Sequence, residues 1–265
     1  MSVTNPTGNL LRILSWNIAR RTAPWQMILE SDADLALIQE ISKPPAPLPP
    51  HVLVDGEPWN DQVNNEDGVW RSAVVRLSDR VQVEWLRPDI ACLTIGGLKP
   101  IIVVSFYAIW TKPHESTGSS WILADASAHR LISDISHFIG SVHGHRIIVA
   151  GDFNHAFGVA WNGSAYWKGR DQTVIDRMHA LGLQLIGPHF PNGRRSTNPS
   201  PYEPADSTSV PTFHTNRVKH EAAQLQLDYV FASNSIANKV TAKALNEADE
   251  WGPSDHCRLI IDVGI

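Results

Sequence analysis

Along this chain, short runs dense in Val, Ile and Leu are separated by stretches of Gly, Pro, Asn and Asp. LRILSW (10–16 region), LALIQ (35–39), SAVVRL (72–77), VQVEWL (81–86), IIVVSFYAIW (101–110) and RIIVAG (146–151) are short, and their β-branched content predicts strands. LQLDYVFAS (225–233) and HCRLIIDV (256–263) add two more. Helical spacing is rarer. Ala124, Ala128, Leu131, Ile135 and Phe138 follow a 3.6-residue period closed by Gly140. A second helix runs through Val174, Met178 and Leu181 with Gly182 as its stop, and a third short one spans Ala23 to Glu30 with Pro24 in its first turn. Many strands and few helices point to packed sheets with helices outside them.

The connectors carry their own signals. KPPAPLPP (43–50) reads as a stiff polyproline-like link. Residues 187–221, rich in Pro, Asn, Ser and Thr and carrying Arg194, Arg195, Arg217 and Lys219, form a long loop of the kind that is functional or mobile. Neither an internal repeat nor a linker divides the chain, so residues 1–265 are expected to form one domain and a monomer.

Composition changes this picture only modestly. Hydrophobic residues make up 43% and charged residues 18% of the 265, which supports a substantial core and argues against disorder. A net charge of -5 disfavours sequence-independent grip on nucleic acid, although a metal site built from carboxylates is acidic by design. Cys92 and Cys257 have no CxxC partner and read as reduced core thiols. The N-terminal MSVTNPTGN lacks an apolar signal region, and no run reaches the ~18 apolar residues that span a bilayer, so a soluble cytoplasmic protein without membrane contact is expected. Of the ten tryptophans most should be packing, with a few lining a cleft.

Four motifs carry chemistry. In IIVAGDFNH (147–155) an apolar strand ends at Gly151 and then presents Asp152 and Asn154, which alternation would place on one face. A carboxylate there can orient or deprotonate a water, and an amide can hold a phosphate oxygen; a plain Asp-Asn turn is the alternative. GPSDHC (252–257) sets Asp255 beside His256, a hard oxygen next to an imidazole that can become a cation aimed at phosphate, or else a solvated turn. LIQE (37–40) ends a strand in Glu40, a suitable oxygen ligand for Mg²⁺ or Mn²⁺, and SWN (15–17) ends the first strand in Asn17. Of the histidines outside these motifs, His155 is the one expected to face the cleft.

Taken in order, strand–Asn, strand–Glu, strand–Asp-x-Asn and Ser-Asp-His–strand resemble the endonuclease/exonuclease/phosphatase superfamily over residues 11 to 263, most specifically in GDFN (151–154) and SDH (254–256). The resemblance implies a four-layer α/β sandwich of the DNase I-like type, with two mixed, mainly antiparallel sheets face to face and helices outside. It also implies roles. Glu40, Asn17 and Asp255 would serve the metal, Asp152 and Asn154 would align the attacking water, and His256 would contact the scissile phosphate. Tyr107 matches the active-site Tyr of the AP-endonuclease branch, Asp228 matches the Asp that pairs with the catalytic His, and PTFHT (211–215) resembles the stretch preceding that strand. Two positions depart from that branch: Ala19 replaces an acidic residue, and Trp110 an Asn that touches phosphate.

The expected function is therefore metal-dependent hydrolysis of a phosphate ester, as an endo- or exonuclease on DNA or RNA. A small or lipid-linked phosphate ester is the alternative substrate, and a catalytically silent binding module is the reading from another class.

Overall fold

The structure, a computed structural model, describes residues 10–54, 72–97, 99–140, 144–158 and 163–264. Among them, twelve strands form two six-stranded sheets. The first has the order β11 (Val240–Leu245), β12 (Arg258–Gly264), β1 (Leu10–Asn17), β2 (Leu35–Gln39), β4 (Ala73–Arg76), β3 (Leu53–Val54). The second runs β5 (Gln82–Arg87), β6 (Ile90–Thr94), β7 (Ile101–Tyr107), β8 (Ile147–Asp152), β10 (Asp228–Ser233), β9 (Leu183–Gly187). Each sheet is antiparallel apart from one central parallel pair, β1 with β2 and β7 with β8. Parallel neighbours need a crossover. The first crossover contains α1 (Pro24–Leu29) and the second α2 (Asp125–Ile135), while α3 (Ala165–Ala180) precedes β9.

Four layers follow from the side-chain alternation of the central strands. Leu11 and Ile13 of β1, Leu35 and Leu37 of β2, Val103 of β7, Ile148 and Ala150 of β8 and Val230 of β10 join one core between the sheets. The intervening residues Leu14, Trp16, Ala36 and Ile38 bury against Trp25 and Ile28 of α1. On the opposite outer face, Phe106, Val149, Phe153 and Phe231 pack under Ala128 and Ile132 of α2 and Val174 and Met178 of α3. Strands buried on both faces read as the near-continuous apolar runs seen in the sequence.

All eight expected strands and all three helices are present; strand ends shift by up to three residues, while α3 begins at Ala165, nine residues before Val174. The run through Trp110 stops at Tyr107, and LQLDYVFAS becomes a strand only from Asp228. Helix α1 begins with Pro24 at its first position, and Gly182 ends α3 with a left-handed φ of 74°. Cys257 is buried as expected, but Cys92 is only half-buried. Part of the loop that follows KPPAPLPP lies outside the described residues.

One contact fixes how β8 sits. Gly151 has φ 148°, and a Cβ there would lie 2.0 Å from the carbonyl oxygen of Phe106. A glycine is therefore required immediately before Asp152.

Candidate active site

The inward-facing series of the central strands begin apolar and end polar at one edge of the sandwich. In β7, Val103 gives way to Ser105 and Tyr107; in β8, Ile148 and Ala150 to Asp152. In β10, Asp228 opens the series that continues with Val230. The registers Tyr107↔Asp152 and Asp152↔Asp228 put these three in one row across the second sheet. From the first sheet, Asn17 ends β1 and Glu40 follows β2. The site is the meeting of these two strand-end rows.

Glu40 adopts a left-handed φ of 48°, which interrupts the alternation of β2. Its Oε1 accepts from the Tyr107 hydroxyl at 2.9 Å and from Asn17 Nδ2 at 3.2 Å. Asn17 Nδ2 also donates to Asp152 Oδ2 at 2.9 Å, while its Oδ1 accepts from the backbone N–H of Ala19 at 2.9 Å. The amide thus ties the two sheets together through two carboxylates. In this orientation it offers both carboxylates an N–H.

Asp152 and Asn154 do share a face, although a turn rather than an extended chain brings this about. Asn154 is left-handed at φ 51°, and its backbone N–H donates to Asp152 Oδ1 at 2.8 Å. Its Nδ2 donates to Ala108 O at 2.9 Å and to Asp152 Oδ2 at 3.1 Å. These bonds commit the carboxamide to holding Asp152. Burial raises Asp152 to about 7, partly opposed by the charge of His256.

His256 enters from the turn before β12. Its Nδ1 donates to Asp228 Oδ2 at 2.8 Å, and its Nε2 lies 3.8 Å from Asp152 Oδ2. Burial disfavours the imidazolium, but the charges of Asp228 and Asp152 outweigh it and raise His256 to about 10. The turn is held by Ser254 Oγ donating to Asn17 O at 2.7 Å and by Trp16 Nε1 donating to His256 O at 2.9 Å. Asp255 is half-buried, and its charge acts on both Glu40 and His256. Burial raises Glu40 above its ordinary range, and burial together with the charge of Glu40 keeps the Tyr107 phenol protonated.

The resemblance marked PTFHT only as a stretch, and two of its positions take their roles in three dimensions. Thr212, within PTFHT, has an Oγ1 that accepts from the backbone N–H groups of Leu227 and Asp228 at 3.0 and 3.1 Å. Its neighbour Phe213 pairs with His256 in a backbone bridge. The residue spacing carries no sign of either contact. His214 packs on Trp251 and its backbone N–H donates to Asp255 O at 3.0 Å, while Arg194 is bound to Asn246.

The donor set fits a divalent cation. Asp152, Asp228 and His256 bring possible ligand atoms within 4.8 Å of one another and form a group that could hold a metal. Glu40 and Asp255 lie close enough for their charges to interact with the same imidazole, so four carboxylates surround it, an excess of negative charge suited to a divalent cation.

A two-sheet sandwich with carboxylates and one imidazole gathered at its strand ends is an arrangement suited to hydrolysis of a phosphate ester. Residues 14–256 match the Endonuclease/Exonuclease/phosphatase family, and the chain belongs to it. No curated protein is significantly similar in sequence. Among solved structures, the endonuclease domain of TRAS1, a telomere-specific non-LTR retrotransposon, aligns with TM-score 0.61 and 19% identity over 96% of this chain and 99% of that one. The AP endonuclease LMAP from Leishmania major aligns with TM-score 0.63 and 13% identity over 98% and 89%. A 3' phosphatase, NExo, from Neisseria, bound to product DNA hairpin, gives 0.54 and 15% over 96% and 100%. At these identities the likeness is one of fold. Among the described residues, no helix is long and apolar enough to cross a membrane.

Proposed function

We propose that the protein is a divalent-cation-dependent phosphodiesterase that cleaves nucleic acid, acting as a single domain and as a monomer. The observation that carries this reading is the Asp228–His256–Asp152 line, in which one face of the imidazole is fixed and the other is directed at a buried carboxylate. Fold likeness to proteins named as AP endonucleases and to a 3' phosphatase bound to DNA supports a nucleic-acid substrate.

When bound by Glu40 and Asp255, with Asp152 alongside, Mg²⁺ or Mn²⁺ supplies Lewis-acid polarisation of the phosphate and neutralises part of the carboxylate charge. The chain's own groups do the rest. Asp152, oriented by Asn154 and Asn17, accepts a proton from the attacking water at a carboxylate oxygen. Asp228 keeps His256 protonated, and its Nε2–H stabilises the charge that develops on the phosphoryl oxygens. Tyr107 and Asn17 hold Glu40 in place. The displacement is direct: the water oxygen bonds to phosphorus as the P–O bond to the leaving alkoxide breaks, that alkoxide takes a proton from solvent, and phosphorus inverts without a covalent intermediate.

Asp152→Asn and His256→Ala should each lower kcat by roughly 10²–10³-fold or more. The assay is a metal-dependence series on plasmid, abasic duplex, single-stranded DNA, RNA, bis(p-nitrophenyl) phosphate and inositol phosphates. Wild-type rates in either folded variant would refute the assigned roles, and activity that survives EDTA would refute the metal. A second reading, hydrolysis of a small or lipid-linked phosphate ester, is favoured by the net charge of -5. Cleavage confined to inositol phosphates would establish it over the first.

A further inference from the structure

A pocket of about 360 Å³ opens on the Tyr107 side of the carboxylate cluster. Tyr107, whose hydroxyl holds Glu40, lines it together with Ile109 from the segment after β7. The other wall is helix α2, through Ser127, Arg130, Ser133 and Asp134. Their three- and four-residue spacing puts these side chains on one face of the helix, so a single face of α2 borders the pocket.

Three of the four polar side chains on that wall are already committed. Ser127 Oγ is bonded to Ile109 O and Ala124 O, both at 2.8 Å. Ser133 Oγ donates to His129 O at 3.0 Å and accepts from Arg177 Nη2 at 2.8 Å. Asp134 is neutralised by Arg87, whose Nη1 lies 2.5 Å from Oδ2. Arg130 differs. It is exposed and, among the described residues, makes no hydrogen bond or ion pair. A guanidinium carries five donors and a permanent charge, so the partner it lacks is an anionic acceptor.

A second positive charge reaches the same end of the site. Ala19 and Arg20 have left-handed φ values of 50° and 58°, and with Glu40 and Asn154 they are the non-glycine residues of positive φ among those described. Such conformations persist where the surroundings over-determine them, and they gather at functional sites. Here the backbone N–H of Arg20 donates to Glu40 O at 2.8 Å, and the Arg20 charge acts on Tyr107. Tyr107 thus stands in the field of one arginine and shares a pocket with another.

We propose that this pocket is a second phosphate subsite, in which Arg130 binds the phosphodiester group next to the one being cleaved. The occupant is an anion because the polar group left to receive it is a guanidinium. It belongs to the substrate because Tyr107 is part of both the pocket and the carboxylate cluster. A planar guanidinium matches phosphate oxygens two at a time, which fixes the register of a chain as well as holding it. The inference rests on the nucleic-acid reading, under which the substrate carries phosphates in series.

The test measures binding without turnover. Asp152→Asn protein in Mg²⁺ is titrated, by anisotropy at several salt concentrations, with a labelled single-stranded oligodeoxythymidylate. Adding Arg130→Ala, at an exposed helix position, should weaken binding roughly 10-fold, the scale of one charge-assisted contact. It should also reduce the slope of log Kd against log salt by about 0.7, the share of one phosphate on a single strand. Arg130→Lys should restore most of that slope. Uncharged methylphosphonate linkages are then placed one at a time along the strand, and at one position the effect of Arg130→Ala should vanish. Unchanged affinity and slope in Arg130→Ala would overturn the proposal, as would a loss that persists on every methylphosphonate strand. Failure of the nucleic-acid reading looks different: the strand would not bind the Arg130-containing protein at all, and the subsite would fall with it.

Discussion

His256 faces two carboxylates with different duties. Asp228 contacts Nδ1 at 2.8 Å and fixes the ring, whereas Asp152 stands 3.8 Å from Nε2 across the space where a phosphate would sit. With His256 at about 10, above the ordinary 6.5, the folded protein holds this proton more tightly than the unfolded chain does. The corresponding stability is complete below 6.5 and is lost as pH rises through about 10. In Asp228→Asn, burial remains and one opposing charge is gone, so the imidazole of the metal-free protein should deprotonate at a distinctly lower pH. Imidazole NMR titration in EDTA measures this, and an unshifted curve would remove Asp228 from the role. Turnover should fall on the order of 10²-fold, the price of a misoriented imidazole. Sequence alone exposed Asp152, Asn154, Asp255 and His256 because each pair lies within one short motif. It could not give the Asn17 amide its direction, since that depends on Glu40 and Asp152 arriving from different sheets.

At the level of elements, the site is as good as the strand ends that deliver it. Gly151 is the tightest point, because a methyl group there would meet the Phe106 backbone, which cannot swing aside. Gly151→Ala should cost about 3 kcal/mol of stability by denaturant unfolding, combining overpacking with backbone strain. Thr212 tests a different joint. Thr212→Val keeps the shape but leaves the N–H groups of Leu227 and Asp228 without their acceptor, costing about 2 kcal/mol or more and loosening the start of β10. Activity should fall further than stability alone explains, and a variant with native turnover would show that β10 needs no such anchor. The long 187–221 loop, legible in the sequence only by composition, thereby has a structural task as well. Unread strands failed for physical reasons. In β11, Val240, Ala242 and Ala244 alternate inward correctly, but alanine gives a weak strand signal. β3 has only two residues, and β6 and β9 are five-residue runs whose register comes from neighbouring strands.

For the whole molecule, the sandwich assembles more negative charge at its functional edge than the protein itself neutralises. Asp152 is raised to about 7 from 3.8 mainly by burial, so the folded state opposes its ionisation. A raised carboxylate gives stability that is present below 3.8 and is withdrawn as pH climbs through about 7. A cation bound among Glu40, Asp152 and Asp255 relieves that opposition and releases the proton. Binding to the native state alone raises stability with concentration, by about 2.7 kcal/mol at a hundred times Kd. The melting temperature should therefore rise with Mg²⁺, and should rise more at pH 8 than at pH 5.5, where protons compete for the same oxygens. Glu40→Gln and Asp152→Asn should each blunt the Mg²⁺ effect, and Asp152→Asn should also flatten its pH dependence. A melting temperature indifferent to Mg²⁺ at both pH values would mean that these carboxylates do not hold a cation. The excess charge would then have to be balanced by the chain alone, and among the described residues His256 is the one buried cation in the cluster that could do so.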